Sequence, residues 1–368
     1  MTRRVVVAPD SFKGAVSAAD AAAAIARGWS SVAPSDQLVL RPMADGGEGT
    51  VDALEAAHPS ALRIPVTVQG PDGRPVATSW LWLPDGSAVV ELAMTSGITL
   101  LDAPRPLDAH TLGFGQAIAA ALDAGASRLV LAIGGSSSTD GGVGALAALG
   151  GRFADASGRP IRLGNRGLGT VARIDLSGLR PLPEGGATIL SDVTNPLLGP
   201  MGAAAVFGPQ KGADTDGVDV LEQNLARLAR LVQRSPLGSV DPATPGAGAA
   251  GGTGFGLLAW GATMAGGASA VADAMRLDEA LEGAALVITG EGRFDGQSAA
   301  GKAPTEVARR AAAAGVPVAL VAGAIVAETD RFAASVSLTD LAGDAAGAMT
   351  EPVRWLERAS AELARSIG

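Results

Sequence analysis

The sequence predicts an α/β protein: a discontinuous, doubly wound parallel-sheet (Rossmann-like) domain with an inserted mixed α/β domain. Three observations carry this. Short apolar runs alternate with helix-length segments at both ends of the chain. From Ile64 onward that alternation gives way to short strands separated by turn signals. The 368 residues exceed the roughly 100–200 of one domain.

Val5–Ala8 reads as a buried parallel strand. Ser17-Ala18-Ala19-Asp20 resembles a capping box and opens a helix reaching Trp29. Leu38–Pro42 reads as the next strand, and the segment after Glu48 as a helix. Near the other end, Ala285–Thr289 is an apolar strand. Thr305–Ala314 is a helix stopped by Gly315 and followed by Pro317. Pro317–Ala322 is a strand, and Ala345–Ile367 a final helix. Between these ends, Ile64–Val68, Ala77–Leu83 and Ser87–Ala93 are antiparallel strands with turns at Gly70–Gly73 and Pro84–Gly86. A helix over Leu112–Ala124, a strand over Arg128–Ile133, a helix over Val143–Leu149 and an amphipathic helix over Val218–Gln233 follow. The stretch Pro245–Gly256 is either a flexible linker or a loop whose backbone closes on a ligand. The simplest arrangement is one domain of residues 1–65 and 284–368, with 66–283 inserted and the active site in the cleft between them.

Composition narrows the function. The net charge is −9 and aromatics are 3%, with no Tyr, which disfavours nucleic acid as a partner. No apolar run reaches the ~20 residues of a membrane span, and the N-terminal run is too short for a signal peptide, so a cytoplasmic protein is expected. The absence of Cys excludes disulfides and thiol catalysis. With only His58 and His110, an imidazole-based zinc site is disfavoured, and a metal held by oxygen favours Mg2+. Charge is carried by 25 Arg and only three Lys: Lys13, Lys211 and Lys302, each beside a glycine. A compact ammonium suits a phosphate in a crowded loop where a guanidinium does not fit.

In open α/β sheets ligands bind beyond the carboxyl ends of strands. Five strand ends here lead into clusters of Gly, carboxylate and hydroxyl: 9–14, 42–50, 134–142, 191–196 and 290–296. A helix cap at a turn accounts for any one of them but poorly for all five. The 134–142 segment is a phosphate cradle, with Gly134 and Gly135 opening the backbone, Ser136 and Ser137 donating, and a helix N-terminus following. Asp140 would repel a bare phosphate there, so either magnesium intervenes or its side chain turns away to cap the helix. Gly296–Lys302 has the G-x-x-x-x-G-K spacing of a P-loop, but Ala303 follows where a Ser or Thr is needed. No G-x-G-x-x-G follows a strand, and no His stands ready for a Ser nucleophile. Acids, glycines and lysines converging at strand ends are the parts of a phosphoryl-transfer site.

The strings APDSFKG (8–14), PMADGGEGT (42–50), GGSSSTDGG (134–142), SDVTNPLLGP (191–200), FGPQKGA (207–213), PGAGAAGG (245–252) and TGEGRFDGQS (289–298) with GK (301–302) resemble the bacterial (type I) glycerate kinase family, in its order and across nearly the whole chain. The resemblance implies ATP, Mg2+, glycerate and a two-domain α/β fold with an insertion. Two positions depart from it: Thr139 where the family usually has Asn, and Ser191 where it often has Cys. With that reaction in view, Asp192 becomes the candidate magnesium ligand or catalytic base, and Asp295 its competitor as base. Lys13 would bind a phosphate or the glycerate carboxylate. Asp45 and Glu48 would orient substrate hydroxyls or metal waters, and Arg293 would pair with the substrate carboxylate. Ser11, Asn195 and Glu291 complete the substrate set. Lys211 and Lys302 join Gly134, Gly135, Ser136, Ser137 and Asp140 around the nucleotide. A kinase for another small hydroxy or sugar acid, or a non-catalytic two-domain binding protein, are the alternatives.

Overall fold

The computed structural model describes residues 2–235, 240–296 and 302–367. The chain divides into two compact units. Unit 1 comprises residues 1–45, 52–57 and 266–368, and unit 2 comprises 46–51 and 58–265. The boundaries expected from the sequence are 65/66 and 283/284. The first strand of the larger sheet begins at Leu62, and the two helices that precede the C-terminal strands, from Gly267, pack with unit 1.

Unit 1 is a five-stranded, wholly parallel sheet. Its strands are β1 (Arg4–Pro9), β2 (Gln37–Leu40), β11 (Leu286–Phe294), β12 (Val318–Ile325) and β13 (Ala334–Ser337), in the order β13-β12-β11-β1-β2. After Arg4, β1 is apolar because both of its faces are covered. Val5 and Val7 join one buried cluster, Val6 and Ala8 the other. Each buried valine is worth about 1.5–3 kcal/mol of transfer free energy. The helix Ala18–Ser30 starts where Ser17 accepts from the Asp20 amide at 3.1 Å.

Two expectations for this unit are corrected. The run after Thr289 is not a loop: β11 continues to Phe294, because Glu291, Arg293 and Phe294 pair with Ala322, Ala324 and Ile325 of β12. The last helix is two, Ala345–Thr350 and Pro352–Ile367. Pro352 has no N–H to give and disfavours a helical residue before it. Most of the near-miss P-loop string, 297–301, lies outside the described residues.

Unit 2 holds a six-stranded mixed sheet of β3 (Leu62–Gln69), β4 (Pro75–Trp82), β5 (Ser87–Glu91), β6 (Arg128–Ala132), β9 (Ala187–Leu190) and β10 (Thr263–Ala265), in the order β10-β9-β6-β5-β4-β3. The pairs β3–β4 and β4–β5 are antiparallel, as the close turns imply, and the remainder are parallel. A small ribbon, β7 (Arg152–Ala154) with β8 (Arg173–Asp175), stands apart from this sheet. The amphipathic helix runs Thr215–Val232 and buries Leu221, Leu225, Leu228, Ala229 and Val232, one face of a 3.6-residue repeat. It starts three residues earlier than its apolar pattern because Asp214 accepts from the Gly217 amide at 2.8 Å. Among the described residues no helix is long and apolar enough to cross a membrane.

Candidate active site

In unit 1 the end of β1 lies beside the middle of β11, with Pro9 opposite Gly290 and the Asp10 amide bonded to the Gly290 carbonyl at 2.7 Å. This register brings APDSFKG against TGEGRFD. Asp10, Ser11, Lys13, Glu291, Arg293, Asp295 and Lys302 all line one cavity of about 400 Å3. Five of these came from the sequence as candidates at strand ends, and Lys302 joins them at the N-cap of the helix Ala303–Ala313. Lys13 is half-exposed, and its ammonium lies 3.7 Å from Asp45. Arg293 is largely exposed and approaches Asp295 at 3.6 Å. Ser11 is buried, and its hydroxyl has no hydrogen-bond partner among the described residues.

Asp10 was not singled out from the sequence, since one Asp after a strand reads as a cap. It is 3% exposed. Burial pushes its carboxyl well above the usual range, the charges of Asp45 and Glu291 push the same way, and Lys13 and the Ser11 amide oppose them. A carboxylate made more basic in this way, beside a cation, is a chemically competent proton acceptor.

In unit 2 four glycine-rich strings meet at the carboxyl end of the parallel strands. Gly134 follows β6 and donates its amide to the Gly46 carbonyl at 3.0 Å. A Cβ on Gly134 would meet the Gly47 Cα at 2.5 Å, so only glycine lets these two loops touch. Glu91, at the end of β5, accepts from the Gly49 and Val51 amides at 3.1 and 2.9 Å and fixes the 46–51 loop that carries Glu48. Asp192 and Asn195 follow β9, whose Leu190 pairs with Ala132 of β6. Asp192 is half-buried, and Asn195 donates to the Met201 carbonyl at 2.8 Å within its own loop.

The stretch Pro245–Gly256 is not a flexible linker: all of it but Pro245 and Ala250 is buried. Ala250, Gly251 and Gly252 form a left-handed turn inside Ala249–Trp260, and the Gly251 carbonyl accepts from the Gly141 amide at 3.1 Å. A Cβ on Gly251 would sit 2.1 Å from the Ser138 carbonyl oxygen. The glycines serve backbone-to-backbone packing against the 134–142 segment.

That segment turns its side chains inward. Gly135 is exposed, Gly134 half-buried and the rest buried. Of the two alternatives open for Asp140, the structure takes the second. Its carboxylate is wholly buried and accepts from the amides of Thr111, Gly142 and Gly144 at 2.9–3.1 Å and from the Thr111 hydroxyl at 2.9 Å. It caps the turn into the helix Val143–Ala148 and does not reach outward. Thr139 is also wholly buried, so its departure from the family's Asn lies inside the fold. Ser137 is spent on the Ser96 carbonyl at 2.8 Å. Lys211 lies beneath the segment, 2% exposed, and donates to the Ser136 hydroxyl at 2.8 Å and the Ser138 carbonyl at 2.5 Å. Desolvation lowers its ammonium to about 7, against the pull of Asp140.

Among the described residues no group of three or more His, Cys, Asp and Glu could hold a metal ion. This donor set does not make a protein cage. An ion of the magnesium type would take one or two carboxylates and its remaining ligands from phosphates and water.

The glycerate kinase family model matches residues 5–368. The chain belongs to the glycerate kinase family. It is 43% identical to the glycerate kinase of Bacillus subtilis (strain 168) over 374 residues, covering 99% of this chain and 97% of that one. It is 42% identical to the glycerate 2-kinase of Escherichia coli (strain K12) over 327 residues, 88% of this chain and 85% of the relative. A crystal structure assigned as glycerate kinase 2 from Salmonella typhimurium LT2 superposes with a TM-score of 0.81 at 38% identity, covering 100% of this chain and 98% of that chain. As a member of this family the protein is an enzyme, a kinase that phosphorylates glycerate.

Proposed function

We propose that the protein transfers the γ-phosphoryl group of ATP, with Mg2+, to the 2-hydroxyl of glycerate. The observation that carries the residue assignment is the cavity of unit 1, where Lys13, Arg293 and Lys302 stand among Asp10, Glu291 and Asp295. A small hydroxy acid needs a cation for its carboxylate and an acid to orient and deprotonate its hydroxyl. Arg293 takes the carboxylate, Ser11 and Glu291 bind hydroxyls, and Asp10, with Asp295 as its neighbour, accepts the proton. Lys13 and Lys302 neutralise the charge of the transferred phosphoryl group, and Asp45 holds Lys13 in place.

In unit 2 the 134–136 backbone holds the nucleotide phosphates, with Asp192 as the protein ligand of the magnesium and Glu48 and Asn195 beside it. Magnesium, when bound, would shield the phosphate charge. The 2-hydroxyl follows the name of the Escherichia coli relative. Both substrates are metabolites of the cytoplasm, which supports that location.

The test is a coupled assay for ADP with D-glycerate, ATP and magnesium. ADP formation should require all three, and phosphorus NMR should identify 2-phosphoglycerate. Phosphorylation of another hydroxy acid in preference to glycerate at equal concentration would refute the substrate, and a 3-phosphoglycerate product would refute the regiochemistry.

A further inference from the structure

Lys211, expected from the sequence around the nucleotide, is a charged side chain to which the proposed function gives no role. It is 2% exposed, and both of its contacts are to the underside of the 134–142 segment, so it does not touch a ligand itself. Among the described residues no carboxylate is bonded to it. Asp140 acts on it only through space, its oxygens being taken up by the Thr111 hydroxyl and by backbone amides. A buried ammonium without a contacting counter-ion is costly, and such groups concentrate at functional sites.

The chemistry of the pair is directional. An ammonium can only donate. Because Lys211 donates to the Ser136 oxygen, the Ser136 hydrogen must point elsewhere, and no acceptor among the described residues takes it. Ser136 sits one residue from the exposed Gly135 and is itself 7% exposed.

We propose that Lys211 is a positioning residue: it holds Ser136 as an obligate hydrogen-bond donor towards a phosphate oxygen of the nucleotide. This rests on the reading that the 134–136 backbone holds the nucleotide. The arrangement also has a pH sense. Below a pH of about 7 Lys211 is an ammonium and Ser136 is free to donate outward. Above it the neutral amine carries a lone pair, can accept the Ser136 hydrogen, and keeps a hydrogen for the Ser138 carbonyl. The charged or titratable groups facing this pocket are Asp140 and, against Asp140, His110. Burial lowers His110 below its usual range, against the pull of Asp140 and Asp72. Nucleotide binding should therefore weaken as pH rises through Lys211's transition, by the loss of one charge-assisted contact network.

The experiment measures KM for ATP, KM for glycerate and kcat across about pH 6–8.5 for the wild type, Lys211→Met, Ser136→Ala and the double variant. Lys211→Met should raise the ATP KM by about 10–100-fold and leave the glycerate KM unchanged. Ser136→Ala should move the same constant, and the double variant should be no worse than the poorer single one. The rise in ATP KM with pH should vanish in Lys211→Met. Additive effects, an equal rise in the glycerate KM, or a pH dependence that survives in Lys211→Met would overturn the proposal. If Lys211→Met does not fold, the wild-type and Ser136→Ala profiles decide alone. A wild-type ATP KM that is flat with pH contradicts the proposal, and so does a Ser136→Ala profile that keeps the full slope. Hydrogen exchange of the 134–138 amides with and without ADP separates this from the underlying reading. Protection by ADP together with unchanged Lys211→Met kinetics sinks the Lys211 role only. An absence of protection sinks the nucleotide loop and this role with it.

Discussion

Unit 1 and unit 2 use similar residues at their strand ends in opposite ways. Around the unit 1 cavity the side chains of Asp10, Lys13, Glu291, Arg293 and Asp295 face the space that a substrate would fill. In the 134–142 segment of unit 2, Asp140, Ser137 and Lys211 are spent on the protein's own backbone or hydroxyls, and the exposed element is glycine backbone. On the proposed reading, the difference follows what each has to bind. A hydroxy acid must be oriented and deprotonated, which requires ionisable groups. A polyphosphate needs only a fixed row of donors, and for that the scaffold must be rigid and its acids out of the way.

The strongest way to break this contrast is at Asp10. Asp10→Asn keeps the volume and removes the basic group, and kcat should fall on the order of 10²–10⁴-fold. Thermal stability should not fall, because the burial that raises the Asp10 carboxyl penalises its charged form. A variant with near-normal kcat would pass the base role to Asp295.

A far smaller kinetic effect is expected at Arg310, a 6% exposed guanidinium that lines none of the site described above. It bonds Glu306, Asp278 and Asp273 at 2.7–2.8 Å. Arg310→Met should cost about 1–3 kcal/mol of stability through its lost bonds to Glu306, since Asp273 and Asp278 are largely exposed and return to water, with both KM values unchanged at a temperature where the variant is folded. A selective loss of glycerate affinity would show that this network supports the cavity, and would blur the division between structural and reacting charge.

Much of this contrast is legible in the sequence, but not its direction. β1 and β12 stand out because parallel strands buried on both faces are apolar throughout. β7, β8 and β13 do not, because three or four partly polar residues are held as strands only by a neighbouring ladder. The rarity of Lys points to Lys13, Lys211 and Lys302, yet composition cannot tell the half-exposed Lys13 from the buried Lys211. Asp140 carries both of its readings in sequence, and only the approach of Thr111, 29 residues away, decides between them. Asp10 and Glu91 pass unnoticed for the same reason. An acid at the end of a strand looks like a cap until its burial and its partners are known.

The proposed division gives the acid substrate to the unit 1 cavity and the nucleotide to the unit 2 backbone. The most direct measurement is the pair of Michaelis constants for Arg293→Ala. Loss of a guanidinium that pairs with the glycerate carboxylate should raise the glycerate KM by about 10–100-fold and leave the ATP KM within about twofold. A rise confined to the ATP KM would assign the cavity to the nucleotide and contradict the claim.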